Sequence, residues 1–229
     1  MNKNGSLLNE IIDYLKNHHQ VHTIILYGSR ARDEATTTSD YDIIAIRKQG
    51  NFERDCQLFK GFYLDAFIYP EKAVKNPDSF MIRIKDGIVL CQNKNVGADL
   101  LKKIKKIFKQ GPDKTPDWEK HEIFMWLRKM FQRAQMNDVE GHFRMHWLLH
   151  DLLECYFKLR DLWYLGPKES FQWLKQHDMI CYKAFKEALK PNAKFAAIEN
   201  LINYVSDSHI DASKYKTYTN TANKRKKVV

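Results

Sequence analysis

The fold of this chain is decided by Thr23-Ile24-Ile25-Leu26-Tyr27-Gly28-Ser29-Arg30-Ala31-Arg32 and the stretch that follows it, Thr37-Thr38-Ser39-Asp40-Tyr41-Asp42-Ile43-Ile44-Ala45-Ile46. A β-branched apolar run ends in Gly-Ser, a short helical turn follows, and a second apolar run opens on Asp-x-Asp. Gly28 permits positive φ and lets the backbone approach a ligand closely. Ser29 is placed to cap the turn, whose free N–H groups suit a phosphate. Residues two apart in a strand face the same side, so Asp40 and Asp42 stand together, roughly 6.5–7 Å apart along the chain, with Tyr41 turned away. Carboxylates so placed can converge on a pair of hard cations about 3.5–4 Å apart.

A third carboxylate belongs on a neighbouring strand, facing the same way. Asp65 is the candidate, a lone acid inside the apolar run Phe62–Tyr69. An unpaired buried aspartate is costly, so Asp65 is expected to meet a metal, a cation or a hydrogen-bond donor. Three acids from two strands beside a phosphate-binding turn are apparatus for phosphoryl or nucleotidyl transfer.

Outward from this core, Gly87–Leu90 reads as one more strand. Leu100, Leu101, Ile104, Ile107 and Phe108 alternate with Lys102, Lys103, Lys105, Lys106 and Lys109, the pattern of an amphipathic helix with a lysine-rich outer face. Gln110-Gly111-Pro112-Asp113-Lys114-Thr115-Pro116 closes that helix and reads as a linker. Beyond it the texture changes to long aromatic-rich helical patterns at Trp118–Met136, Val139–Leu162, Lys168–His177, Ile180–Leu189 and Ala193–Val205, broken by Asn137-Asp138 and Gly166-Pro167. The expected fold is therefore α+β. Residues 1–111 form a small mixed-sheet domain, 117–206 an antiparallel helical bundle, and 207–229 a basic, flexible tail.

Gly28-Ser29, ten intervening residues and Asp40-Tyr41-Asp42 resemble the signature of the minimal nucleotidyltransferases of the DNA polymerase β-like superfamily. Arg30-Ala31-Arg32 and Ser39 match its usual flanks. Beyond the linker, Tyr156–Lys168 is similar to the helical second domain of kanamycin-nucleotidyltransferase-like proteins. The resemblance implies a small mixed sheet with helices on one face, followed by a bundle. It also implies attack by an acceptor hydroxyl on the α-phosphate of a nucleoside triphosphate, ATP being the first choice, with pyrophosphate leaving. By match, Gly28, Ser29 and Arg30 hold the triphosphate. Asp40 and Asp42 bind two Mg²⁺ ions, with Mn²⁺ as a substitute, and Asp65 is the third ligand or the proton acceptor.

Related antibiotic-modifying enzymes take a general base from the bundle. Here Glu154 is the candidate and Asp151 a weaker one, although Lys158 lies at i+4 from Glu154, the spacing of a surface ion pair. Lys168 and Arg160 either reach the outer phosphates or cap and pair within the bundle. The acceptor implied is a small hydroxylated molecule, aminoglycoside-like antibiotics included. The alternatives are a protein side chain, as in antitoxin-like relatives, and an RNA-binding or RNA-extending role. A homodimer is compatible with all of these.

Composition narrows the field further. The 229 residues are 44% hydrophobic and 29% charged, which excludes collagen-like and disordered chains. No apolar run approaches the roughly eighteen residues of a spanning helix, so no membrane partner is expected. The four cysteines, Cys56, Cys91, Cys155 and Cys181, form no CxxC pair and read as reduced, mostly buried thiols of a cytoplasmic protein. The net charge of +10 suggests a polyanion. Part of the excess sits in the tail around Lys224–Lys227, so a nucleotide is the expected polyanion and nucleic acid the less favoured one. The histidines lack ligand spacing with Cys or acids, and the tryptophans read as bundle core.

Overall fold

The computed structural model describes residues 3–136 and 138–206. The expected tail, 207–229, lies outside the described residues. The chain divides into two compact units, Met1–Gln110 and Gly111–Val229.

The first unit is built on a five-stranded sheet in the order β3-β4-β2-β1-β5. Its strands are β1 Val21–Tyr27, β2 Tyr41–Arg47, β3 Glu53–Phe59, β4 Phe62–Pro70 and β5 Ile88–Cys91. The β2–β4 pair is parallel and the other pairings are antiparallel, so the sheet is mixed. Its two central strands are apolar without alternation because both of their faces are covered. Ile24, Ile25, Ile43, Ile44 and Ile46 are all fully buried, each stabilising the unit by roughly 1.5–3 kcal/mol.

The covering comes from both sides, whereas the resemblance implied helices on one. Helix α1, Lys3–His19, packs Ile11 and Leu15 against Ile24, Leu26, Ile43 and Ala45. On the opposite face, helix α4, Val96–Gln110, comes so close that a Cβ on Gly97 would lie 3.1 Å from Thr23. There α4 buries Leu100, Leu101 and Ile104 and turns its lysines outward. A 3-10 helix, Ser79–Ile84, capped by the Asp78 carboxylate, completes that layer. Two four-residue helices, α2 Gly28–Ala31 and α3 Glu71–Val74, follow β1 and β4.

Strand β3 is absent from the sequence expectations. Its residues, Glu-Arg-Asp-Cys-Gln-Leu-Phe, carry little apolar signal because it is an edge strand with one face mostly in solvent. Its other face is tied to α1 by polar groups. Asp55 accepts from the Tyr14 hydroxyl (2.9 Å) and Gln57 (2.8 Å) and meets His19 Nε2 at 2.8 Å. Burial pushes the Asp55 carboxyl up, but these hydrogen bonds more than offset it and the group is held below the ordinary range.

The second unit comprises α5 Asp117–Ala134, α6 Val139–Leu159, α7 Pro167–His177, α8 Met179–Ala188 and α9 Phe195–Ser206. Leu127, Leu148, Leu152, Tyr156, Phe157, Leu174, Phe185 and Leu201 make its core. Two charged side chains are buried among them. Arg160 stacks on the Tyr156 ring, 4.0 Å from its centroid. It also donates to the last carbonyls of α9, Tyr204 O (3.1 Å) and Val205 O (3.0 Å). Asp178 caps α8 through the Cys181 N–H (3.0 Å) and accepts from the hydroxyls of Tyr156 and Tyr204, both at 2.7 Å. Arg160 is thus a helix cap, one of its two expected roles.

Two expectations about buried residues change. Among the cysteines only Cys181 is buried, and Cys56 is exposed. All four are free, and burial pushes the half-buried Cys155 thiol up to about 12. Among the tryptophans Trp173 is core, while Trp118 and Trp147 are exposed.

Candidate active site

Strand pairing places the acids. Tyr27 on β1, Asp42 on β2 and Asp65 on β4 are register partners across three adjacent strands. Asp42 and Asp65 therefore lie side by side on one face, and Asp40 precedes them at the mouth of β2. Gly28 opens α2 directly beside them with φ +72°. A Cβ on Gly28 would sit 2.2 Å from Asp42 Oδ2, so only glycine lets this loop close over the carboxylate.

Ser29 does not cap the turn. Tyr27 occupies the N-cap position and no side chain bonds the free N–H groups. The serine instead lies inside α2, where its carbonyl accepts from Arg32 and Glu34 and its hydroxyl makes no hydrogen bond among the described residues. Arg30 folds back onto the second motif. Its guanidinium donates to Ser39 O (2.6 Å) and Asp40 O (3.0 Å) and lies 3.9 Å from the centre of the Tyr41 ring. It thereby fixes the backbone that carries Asp40. Arg32 pairs with Glu34.

The carboxylates differ in what they meet. The Asp40 and Asp42 carboxylates make no hydrogen bond or ion pair among the described residues. Asp42 is pushed up to about 6, first by burial and then by the negative charge of Asp40 and Asp65, with Arg32 and Arg83 opposing. Burial and the negative charge of Asp42 and Asp65 push the Tyr27 phenol up, so it stays protonated. Asp65 has the cation it was expected to need, supplied by the edge strand. Arg54 Nε donates to Oδ1 at 2.8 Å and Nη2 to Oδ2 at 2.9 Å. Among the described residues no three of His, Cys, Asp and Glu are gathered so as to enclose a metal ion.

An all-oxygen donor set with two carboxylates free of any cation fits a hard divalent ion at Asp40 and Asp42. The third carboxylate is held by an arginine. Arg54, Arg32 and Arg83 thus join the site without being expected there. Arg54 sits in a strand with too little apolar signal to be read, and Arg83 on a 3-10 helix with no motif.

Residues 9–94 match the model of the family described as polymerase beta, nucleotidyltransferase. This stretch is a nucleotidyltransferase domain. The match runs from within α1 to just past β5, and so takes in the Gly28-Ser29 turn and all three aspartates. Over the longer chain there is a structural likeness to a nucleotidyltransferase-like protein from Exiguobacterium sibiricum 255-15. It has 14% identity, covers 89% of this chain and 72% of that one, and has a TM-score of 0.40. No curated protein matches the chain.

The helical unit's candidates lie outside this domain. Glu154 is exposed on α6, and the ion pair expected with Lys158 is not formed because Lys158 pairs with Glu119 at 2.6 Å. Asp151 is occupied by Trp147 Nε1 and His150 Nδ1, both at 2.7 Å. Lys168 is exposed in the first turn of α7.

The fit of Gly28 in the nucleotidyltransferase domain carries a first prediction. Gly28→Ala forces an L-residue into left-handed backbone, at about 1–2 kcal/mol, and displaces the Asp42 carboxylate. Turnover should fall by about two orders of magnitude, with the melting temperature lower by a few degrees. Wild-type pyrophosphate release from Gly28→Ala would contradict the close approach.

Proposed function

We propose that the chain transfers a nucleoside monophosphate from a nucleoside triphosphate, ATP first among them, to a hydroxyl of a small acceptor, releasing pyrophosphate. The observation that carries this reading is the pair of carboxylates without an ion-pair partner, Asp40 and Asp42, the second of them pressed against a left-handed glycine at the mouth of the sheet. Negative charge is held there without a partner, as a binding site for hard cations requires. Divalent cations, Mg²⁺ or Mn²⁺, would supply Lewis-acid polarisation of the triphosphate and neutralise charge on the leaving pyrophosphate.

The chain's own residues do the rest. Asp40 and Asp42 hold the cations, and Arg30 keeps the Asp40 backbone in place so that the two carboxylates share a face. The Ser29 hydroxyl is free to donate to a phosphate oxygen, and the Gly28 backbone leaves room for it. The acceptor's proton passes to a carboxylate, either Asp65 or Glu154. Lys168 is a candidate for the outer phosphates. An aminoglycoside-like polyol is one acceptor of the right chemistry, and a protein hydroxyl is the alternative. The four free cysteines suit a reducing, cytoplasmic compartment. No helix among the described residues is long and apolar enough to cross a membrane.

The test is incubation with Mg²⁺, each of the four α-labelled triphosphates and a panel of aminoglycosides, proteins and RNA. Pyrophosphate release by the parent, reduced at least a thousandfold in Asp40→Ala, is expected. Label on a small acceptor supports the proposal, whereas label on protein or RNA moves the acceptor class. No release under any condition would sink the reading. In the same assay Glu154→Gln separates the two proton acceptors, since unchanged turnover assigns the proton to Asp65.

A further inference from the structure

Asp65 was expected to be a third cation ligand or the proton acceptor, yet both of its oxygens are committed to one guanidinium. The commitment is built into the sheet. Arg54 pairs directly with Phe67 across the β3–β4 ladder, and Asp65 pairs with Cys56. Arg54 therefore reaches Asp65 along the diagonal, over a cysteine small enough to leave the path open. Phe67 supports the guanidinium from below, 4.9 Å from its ring centre. The Arg54 side chain is half exposed and that of Asp65 only one-fifth exposed, so the arginine closes the solvent side of the carboxylate. The pairing is two-pronged, a geometry that arginine satisfies and lysine does not.

Among the three acids only Asp65 is neutralised in this way. The Asp40 and Asp42 carboxylates have no ion-pair partner among the described residues: Arg32 pairs with Glu34 and Arg83 lies over the Phe80 ring, and both act on Asp42 only through space. A cation arriving at the site meets two available carboxylates and a third that it must take from an arginine.

We propose that Arg54 is a positioning residue that withholds Asp65 from the cations, so that the guanidinium and a divalent ion compete for the same two oxygens. This inference rests on the reading of the site given under Proposed function. It adds that cation affinity is set by a residue on the edge strand, outside the Gly-Ser and Asp-x-Asp motifs. Releasing Arg54 converts Asp65 from an ion-pair partner into a ligand. Holding it keeps Asp65 clear of the cations.

The experiment is a Mn²⁺ titration of the full chain without nucleotide, with free Mn²⁺ followed by electron paramagnetic resonance. Arg54→Ala should bind Mn²⁺ about tenfold more tightly than the parent, since a full carboxylate is returned to the site. Arg54→Lys should fall between them, because one ammonium cannot grip both oxygens. The gain should vanish in Arg54→Ala/Asp65→Asn, which separates release of Asp65 from a general change in charge. Equal or weaker binding by Arg54→Ala and Arg54→Lys, with the parent binding normally, would overturn this inference and leave the proposed function standing. A gain that survives Asp65→Asn would overturn it as well. No Mn²⁺ binding by the parent or any variant would remove the proposed function and this inference together.

Discussion

Asp42→Asn should make the cation-free protein more stable while removing its activity. Asp42 is a partly buried carboxylate with no partner, and its neighbours Asp40 and Asp65 are also acids. Its folded pKa, about 6, lies above the unfolded value of about 3.9, so ionisation is harder in the folded state. The sign follows directly. Well below pH 4 the group is protonated in both states and contributes nothing. As pH rises from about 4 to about 6 the unfolded chain ionises and the folded group does not, so the folded protein is progressively destabilised, and above about 6 the full penalty is present. Two pKa units correspond to roughly 3 kcal/mol, and the group is only partly buried, so solvent screening brings this to about 1–2 kcal/mol.

Asn keeps the shape that lies against Gly28 and removes the charge. Calorimetry in a chelator at pH 8 should therefore show Asp42→Asn melting a few degrees above the parent, with most of the difference gone at pH 4. Pyrophosphate release should fall about a thousandfold or more, since under the proposed function Asp42 is one of the two carboxylates that would hold the cations. A variant less stable than the parent at pH 8, or one that keeps turnover, would refute this account of the site. The trade-off is the usual one for a binding site whose charges await a ligand.

How far the sequence disclosed this site depended on what each residue needed. Gly28, Asp40 and Asp42 were legible because their demands are local. A left-handed turn needs glycine, and same-face carboxylates need alternate positions in one strand. Asp65 was legible as an acid stranded in an apolar run. Its partner was not, because Arg54 reaches it through a β3–β4 register that no local pattern encodes, from a strand whose charged face looks like a loop. The helices on both faces of the sheet are the opposite case, written in the sequence although the resemblance implied one covered face. The unbroken apolar runs of β1 and β2 require two covered faces, and α1 carries Leu7, Leu8, Ile11, Ile12 and Leu15 at helical spacing. That pattern marks α1 as the second cover. Ser29 shows the converse error, since a residue type suited to capping sits one position inside the helix it was expected to cap.

In the helical unit the largest loss of stability should come from Asp178→Ala. This carboxylate is 5% exposed and accepts three hydrogen bonds, from the Tyr156 and Tyr204 hydroxyls and the Cys181 N–H. The first two tie α6 to α9, and the third starts α8. Truncation removes a helix cap, at about 1 kcal/mol. It also leaves the Tyr156 hydroxyl without an acceptor inside a core that already pushes its pKa upward by burial, at a further 1–3 kcal/mol. Arg160, 6% exposed, loses the negative charge buried near it while still holding the end of α9. The sum is about 2–4 kcal/mol, a large part of the margin of a unit this size. Asp178→Asn keeps an acceptor for the cap and should lose about half as much, and Tyr204→Phe about 1 kcal/mol. Urea denaturation followed by tryptophan fluorescence reads this unit selectively, because every tryptophan of the chain lies beyond Gly111. If Asp178→Ala and Tyr204→Phe were equally mild, the carboxylate would not be the hub of the unit. If Asp178→Ala unfolds the helices while Mn²⁺ binding at Asp40 and Asp42 persists, the two units are energetically separate, and the cations are held by the nucleotidyltransferase domain alone.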